Sequence, residues 1–224
     1  AGATPVPVPL TADHRVDLPA LAAAVTERTK LIFVCNPNNP TGTTVTEAEF
    51  AAFMDAVPAD VLVALDEAYF EYNQAADTPV ATEVINRYPN VVGLRTFSKA
   101  YGLAGARIGY AFGPQVVIEA LNKVAVPFSV SSVAQVAALA SLAASDELRA
   151  RIDGTVAERS RVVAKLGLAE SQANFVWLPS AGQELADRLA AESVLVRVFP
   201  EGIRVTVTNT EETDALLEAW ARAQ

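Results

Sequence analysis

The sequence predicts an α/β protein: a mainly parallel sheet covered by helices, followed by a smaller α+β unit. Three observations predict it. Short β-branched runs alternate with helical patterns through the first half of the chain. One run, residues 61–65, is apolar at every position, as a strand buried on both faces would be. After a long charged helical stretch the order changes to short strands mixed with helices.

Residues 30–35 read as the first strand. Thr46, with Glu49 three residues on, has the capping-box spacing and opens a helix to about Ala56. Residues 91–95 and 107–112 are two further strands. Residues 114–124 start with proline and carry an apolar helical stripe. Residues 132–144 are an alanine-rich helix expected to pack tightly. Residues 146–166 form a long helix with charges along one side, and Gly167 is a plausible terminator. Such a helix suits a bridge between two domains. Beyond it, residues 175–178, 194–199 and 203–208 read as strands, and 183–191 and 211–223 as helices.

Bulk properties narrow the function classes. Of 224 residues, 51% are hydrophobic and 19% charged, enough to bury a core and too few charges for a disordered chain. Seventeen basic residues against 26 acidic ones give −9, which disfavours nucleic acid and anionic membrane surfaces as partners. Cys35 is the only cysteine, so no internal disulfide forms, and a lone thiol fits a reducing cytosol. It lies in an apolar strand, where a thiol behaves as a small hydrophobe. The alanine-rich run 133–144 is too short to span a bilayer, and the start has neither a basic leader nor an apolar segment. A cytoplasmic protein is expected. The first residue is not methionine and the opening enters what reads as the middle of an α/β domain, so a fragment is expected. His14 is the only histidine, so Ser-His or Cys-His catalysis and histidine-based metal sites lack material.

Four motifs carry chemistry. Asn36-Pro37-Asn38-Asn39-Pro40-Thr41-Gly42 follows a strand; alone it reads as an ordinary turn, but α/β proteins place ligands at such strand ends. Asp66-Glu67-Ala68-Tyr69 leaves the all-apolar strand, either as a surface acidic pair or as an acid and a phenol facing a ligand; Asp66 could then oppose a protonated ring nitrogen and Tyr69 donate to a phenolate oxygen. Thr96-Phe97-Ser98-Lys99-Ala100-Tyr101-Gly102, running on to Arg107-Ile108-Gly109, supplies hydroxyls, backbone N–H groups and an arginine, the parts of a phosphate cradle. Lys99 could form a Schiff base with an aldehyde; the bland alternative is a solvated loop lysine. Gly202-Ile203-Arg204-Val205-Thr206-Val207 offers either an edge-strand arginine or a guanidinium fork for a substrate carboxylate.

In their order along the chain, these motifs resemble fold-type-I pyridoxal 5'-phosphate (PLP) aminotransferases of class I/II. The likeness falls in the histidinol-phosphate aminotransferase branch and, within it, with the actinobacterial aromatic (phenylalanine) aminotransferases. That finer match is carried by Cys35-Asn36-Pro37, Arg95-Thr96-Phe97-Ser98-Lys99, Val126-Pro127-Phe128-Ser129-Val130-Ser131-Ser132 and Gln172-Ala173-Asn174-Phe175-Val176-Trp177-Leu178. The resemblance implies that Lys99 bonds the cofactor aldehyde and Asp66 pairs with the ring nitrogen. Tyr69 and Asn39 bond the ring's phenolate oxygen, Thr96, Ser98 and Arg107 bind the phosphate, Arg204 takes the substrate carboxylate, and Asn174 lies near the substrate.

It further implies a partial large PLP-binding domain at 1–145, an interdomain helix at 146–167 and a small domain at 168–224. The implied activity is transfer of an amino group between phenylalanine or tyrosine and a 2-oxo acid such as 2-oxoglutarate, in a homodimer of amino-acid biosynthesis. Histidinol phosphate is the alternative substrate. A C–S lyase, a decarboxylase and a catalytically silent aminotransferase-like module are the other readings. The family's N-terminal stretch, source of a dimer arm and part of the phosphate cup, has no counterpart here, so the isolated polypeptide is expected to bind PLP poorly.

Overall fold

The computed structural model describes residues 2–223. Its first sheet has the order β1-β2-β3-β4, with β1 at Leu31–Cys35, β2 at Leu62–Asp66, β3 at Val91–Thr96 and β4 at Gly109–Phe112. The first three strands are parallel and β4 is antiparallel to β3, so the expected mainly parallel sheet is found. A second, antiparallel sheet has the order β5-β7-β6, with β5 at Phe175–Pro179, β6 at Arg197–Phe199 and β7 at Gly202–Thr206.

Eight helices accompany the sheets among the described residues: α1 (Leu18–Ala23), α2 (Glu47–Ala56), α3 (Ala81–Val84), α4 (Gln115–Val124), α5 (Ser132–Ala143), α6 (Ser145–Leu166), α7 (Gln183–Ala191) and α8 (Thr210–Ala223). Local chemistry explains several boundaries. The Thr46 hydroxyl accepts from the Glu49 N–H at 3.1 Å, and the Glu49 carboxylate accepts from the Thr46 N–H at 2.7 Å, completing the capping box of α2. Gly167 ends α6 in the left-handed region at φ 63°, where it has no Cβ to clash.

Each sheet has its own core. Val34, Val63 and Leu65 pack with Leu18 of α1, Phe50 and Phe53 of α2 and Val84 of α3. Val176, Leu178, Ile203 and Val205 pack with Val162 and Val163 of α6 and Leu216 of α8. A third buried cluster joins the two sheet units: Tyr69, Tyr72 and Ala100 meet Ala173 and Phe175, with Leu148 and Ile152 of α6 against them.

The structure departs from the sequence reading in several places, and the last strand, β7, already ends at Thr206. β4 starts at Gly109 because Arg107 adopts left-handed backbone at φ 54° and cannot extend the strand. β6 covers only the last three residues of the expected strand. The helices α1 and α3 are too short to show periodicity in sequence. The expected tight packing of the alanine-rich helix is corrected: only Ala134 and Ala138 of α5 are buried, while Val133, Val136, Leu139 and Leu142 are exposed. The apolar stripe of α4 is likewise uncovered. In β1, Leu31 and Phe33 are exposed while Ile32 and Val34 are buried, so one face of that strand is also open. No helix among the described residues is long and apolar enough to cross a membrane.

Candidate active site

The three parallel strands end at one edge of the sheet, with Cys35 paired to Asp66 and Asp66 to Leu94. Loops at the carboxyl ends of parallel strands gather side chains from distant parts of a sequence, and each loop here delivers residues of interest.

In the loop after β1, two asparagines are consumed by its own folding. Buried Asn36 donates to the Thr78 hydroxyl at 2.8 Å and accepts from the Val45 N–H at 3.0 Å. Asn38 donates to the Thr41 hydroxyl at 2.8 Å. Asn39 alone is exposed, and its carbonyl oxygen accepts a 2.6 Å hydrogen bond from Nη1 of Arg204, 165 residues away.

After β2, the Asp66 carboxylate accepts from the Ala68 N–H at 3.0 Å. Tyr69 is buried, with its ring edge-on to Phe175 at 5.0 Å between centroids. Burial pushes the Tyr69 phenol above its usual pKa; nearby Arg204 opposes that shift and Asp66 adds to it. Glu67 is not a surface acid. It is 1% exposed, accepting from the Ala81 N–H at 2.7 Å and from Nε of Arg95 at 2.8 Å. The Arg95 guanidinium also lies 3.7 Å above the Phe70 ring. This ion pair ties the end of β2 to the end of β3.

After β3, the Thr96 hydroxyl accepts from the Ser98 N–H at 3.1 Å. Ala100 is fully buried and anchors the turn, which closes with the Gly102 N–H donating to the Lys99 carbonyl at 2.9 Å. The Lys99 amine stands 5.4 Å from the centre of the Tyr69 ring. Among the described residues no carboxylate lies within 4.0 Å of it.

The second sheet contributes Arg204, on β7. Its guanidinium sits 5.1 Å from the Phe175 ring centre, and its Nε is buried with no partner among the described residues. A buried donor left without a partner beside the Phe175 and Phe199 rings suits a carboxylate ligand.

Contacts thus run from Lys99 through Tyr69 and Phe175 to Arg204 and Asn39, with Asp66 acting on Tyr69 by its charge and Thr96 and Ser98 on the lysine's own loop. Two expected residues stand apart. Arg107 is exposed, with Nη1 donating to the Ala104 carbonyl at 2.8 Å. Asn174 joins by its main chain, its carbonyl accepting from the Val207 N–H at 2.8 Å. His14 packs edge-on against Trp177 at 5.9 Å. Cys35 is half-buried, and burial, reinforced by Asp66, pushes its thiol up to about 11, which leaves it inert at neutral pH.

Sequence reasoning missed the Glu67–Arg95 pair and Phe175 as the wall between lysine and arginine. Glu67 had a signal: a residue following an all-apolar strand is well placed to be buried. Arg95 had none, because nothing in sequence tells a stacked arginine from a solvated one.

Fold and geometry together define an α/β protein with a lysine and an acid on loops at the carboxyl edge of a mainly parallel sheet, and an arginine of the second sheet bonded to a third loop there. Residues 1–219 match the family model Aminotransferase class I and II, and the chain belongs to that family. It is 64% identical over 221 residues to an aromatic amino acid aminotransferase of Corynebacterium glutamicum strain R, covering 98% of this chain and 65% of that protein. A relative of the same name in Rhodococcus jostii strain RHA1 is 57% identical over 225 residues, covering 97% of this chain and 62% of its own length. The chain therefore spans about 65% of the length of the curated relatives it matches. Among solved structures, histidinol-phosphate aminotransferase from Sinorhizobium meliloti in complex with pyridoxal-5'-phosphate superimposes with a TM-score of 0.86 at 35% identity, covering 97% of this chain and 64% of that one.

Proposed function

We propose that this chain is the lysine-bearing part of a PLP-dependent aminotransferase that exchanges the amino group of phenylalanine or tyrosine with a 2-oxo acid such as 2-oxoglutarate. The observation that carries the reading is the 2.6 Å bond from Arg204 to Asn39, which holds a guanidinium with an unpartnered buried Nε against the Phe175 ring, whose other neighbour is the Tyr69 ring that the Lys99 amine faces. The residues fit the cofactor chemically: an amine free of carboxylates for the aldehyde, an acid for the ring nitrogen, a phenol for the ring oxygen and hydroxyls for the phosphate.

Bound PLP would supply the electron sink that makes an amino-acid Cα–H acidic. In this reading Lys99 would hold the aldehyde and, when its amine is free, would serve as the base that takes the substrate's Cα proton. Asp66 keeps a proton on the ring nitrogen by favouring the charged form. Tyr69 and Asn39 hold the ring oxygen, and Thr96, Ser98 and Arg107 take the phosphate. Arg204 grips the substrate carboxylate, with Asn174 beside it. A retained carboxylate disfavours decarboxylation. Residues 1–145 belong in this reading to a partial large domain, 146–167 to the linking helix and 168–224 to a small domain, in a cytoplasmic homodimer.

The names of the relatives support an aromatic substrate, and the 35% identical solved structure favours histidinol phosphate as the second reading. Assaying the full-length enzyme with phenylalanine, tyrosine and histidinol phosphate decides between them. A lyase or decarboxylase would fail to yield a 2-oxo acid together with glutamate. Lys99→Ala should abolish the visible absorbance of protein incubated with PLP, and retention of that absorbance would refute the assignment.

A further inference from the structure

Arg159 of α6 is the least expected buried charge in the molecule. It is 3% exposed and has no carboxylate within 4.0 Å among the described residues. Its Nη1 donates to two main-chain carbonyls, Tyr72 at 3.0 Å and Ala173 at 2.9 Å, and its Nε has no partner among the described residues. Burying a guanidinium with no carboxylate in contact, and only the more distant charge of Glu170 opposing its desolvation, is costly, and a methionine would fill similar space without that cost. The place of the two carbonyls suggests what the charge does instead. Tyr72 ends the short turn entered from Tyr69, on the side of the lysine and the acid. Ala173 immediately precedes Asn174 and Phe175, on the side of Arg204.

The segment around Ala173 is held from several other directions. The Gln172 N–H donates to the Gly42 carbonyl and the Gln74 N–H to the Gln172 side chain, each at 2.7 Å. The Ser171 hydroxyl donates to the Phe175 carbonyl at 2.5 Å and accepts from the Ala173 N–H at 3.2 Å. The Gln172 bonds connect the segment to the loops after β1 and β2, and Arg159 adds a charged tie between the two sheet units.

We propose that Arg159 is a positioning residue: by holding the Tyr72 and Ala173 carbonyls on one nitrogen, it sets the spacing between Tyr69 and the Phe175–Arg204 wall, and with it the grip on the substrate carboxylate. The inference rests on the aminotransferase reading and deepens it. A charged donor shared by two carbonyls holds them more stiffly than a neutral contact, and small displacements of a binding group have large effects on affinity.

The test uses full-length protein loaded with PLP, in wild type, Arg159→Lys and Arg159→Met. The probe is 3-phenylpropionate, an unreactive aromatic carboxylate, titrated by the change in cofactor absorbance. The methionine variant should weaken this probe about tenfold and raise the KM for phenylalanine in parallel, while PLP affinity stays within about twofold. The lysine variant, which keeps charge but not the fork, should fall between. A purely structural role would lower Tm and leave the probe's affinity alone; that outcome in either folded, loaded variant overturns the proposal. If the methionine variant does not fold, the lysine variant decides: wild-type affinity refutes the inference. Wild-type protein with no PLP absorbance sinks the aminotransferase reading itself, whereas a loaded wild type with indifferent variants sinks only the role of Arg159.

Discussion

Glu71 shows how little a residue's identity says about its state. The sequence offers an ordinary acid beside two aromatics. In the fold one carboxylate oxygen is buried without a partner among the described residues, and burial pushes the pKa up to about 7, with Arg95 opposing and Glu67 adding to the rise. A carboxyl whose folded pKa is raised leaves the fold unpenalised below its unfolded value near 4.5, and the fold loses stability as pH rises through about 7. Glu71→Gln should therefore raise stability by about 1 to 2 kcal/mol at pH 8 and leave it nearly unchanged at pH 4. Thermal melts of both proteins across that range check the sign; an equal shift at both ends would contradict it. Asn39 makes the same point from the other side. Its motif has three asparagines, and only the network that consumes Asn36 and Asn38 shows which is left for a ligand.

At the level of elements, the capping box of α2 and the glycine stop of α6 were legible because each depends on contacts within one turn. Loop docking was not. Gly42 reads as an ordinary turn glycine, yet it has φ +74°, and a Cβ there would come within 2.0 Å of the Ser171 hydroxyl oxygen. Gly42→Ala should cost about 2 to 4 kcal/mol, because it adds overpacking to backbone strain and breaks the Gly42–Gln172 contact. Denaturant melts measure the loss, and a cost below about 1 kcal/mol would show that the loop yields instead. The motif's glycine is thus required by a serine 129 positions later in the sequence, 171 − 42, a relation no local pattern records.

On the scale of the molecule, apolar surface is distributed unevenly. Val116, Val124, Val126, Phe128, Val133, Val136 and Leu139 are all more than 60% exposed, on α4, α5 and the segment joining them. An apolar surface of that extent marks an interface or an aggregation liability rather than a face meant for water. A polypeptide of these 224 residues alone should bind an apolar fluorescent dye and self-associate. Val136→Lys combined with Leu139→Lys should reduce both, and light scattering with dye titration gives the answer. The helical pattern made α4 and α5 legible, but periodicity reports that a helix has an apolar side, not that anything lies against it.

By itself the sequence determined the α/β class, most element positions and the order of four motifs, because hydrophobic period, caps and turn residues act over a few neighbours. Only the tertiary structure decided which motif residues meet. The bond from Arg204 to Asn39, the ring wall of Phe175, the buried Glu67–Arg95 pair and the lone Arg159 all join segments that are separate in sequence. Desolvation and hydrogen-bond geometry act through space, and they exist only once the strands have brought their carboxyl ends to one edge.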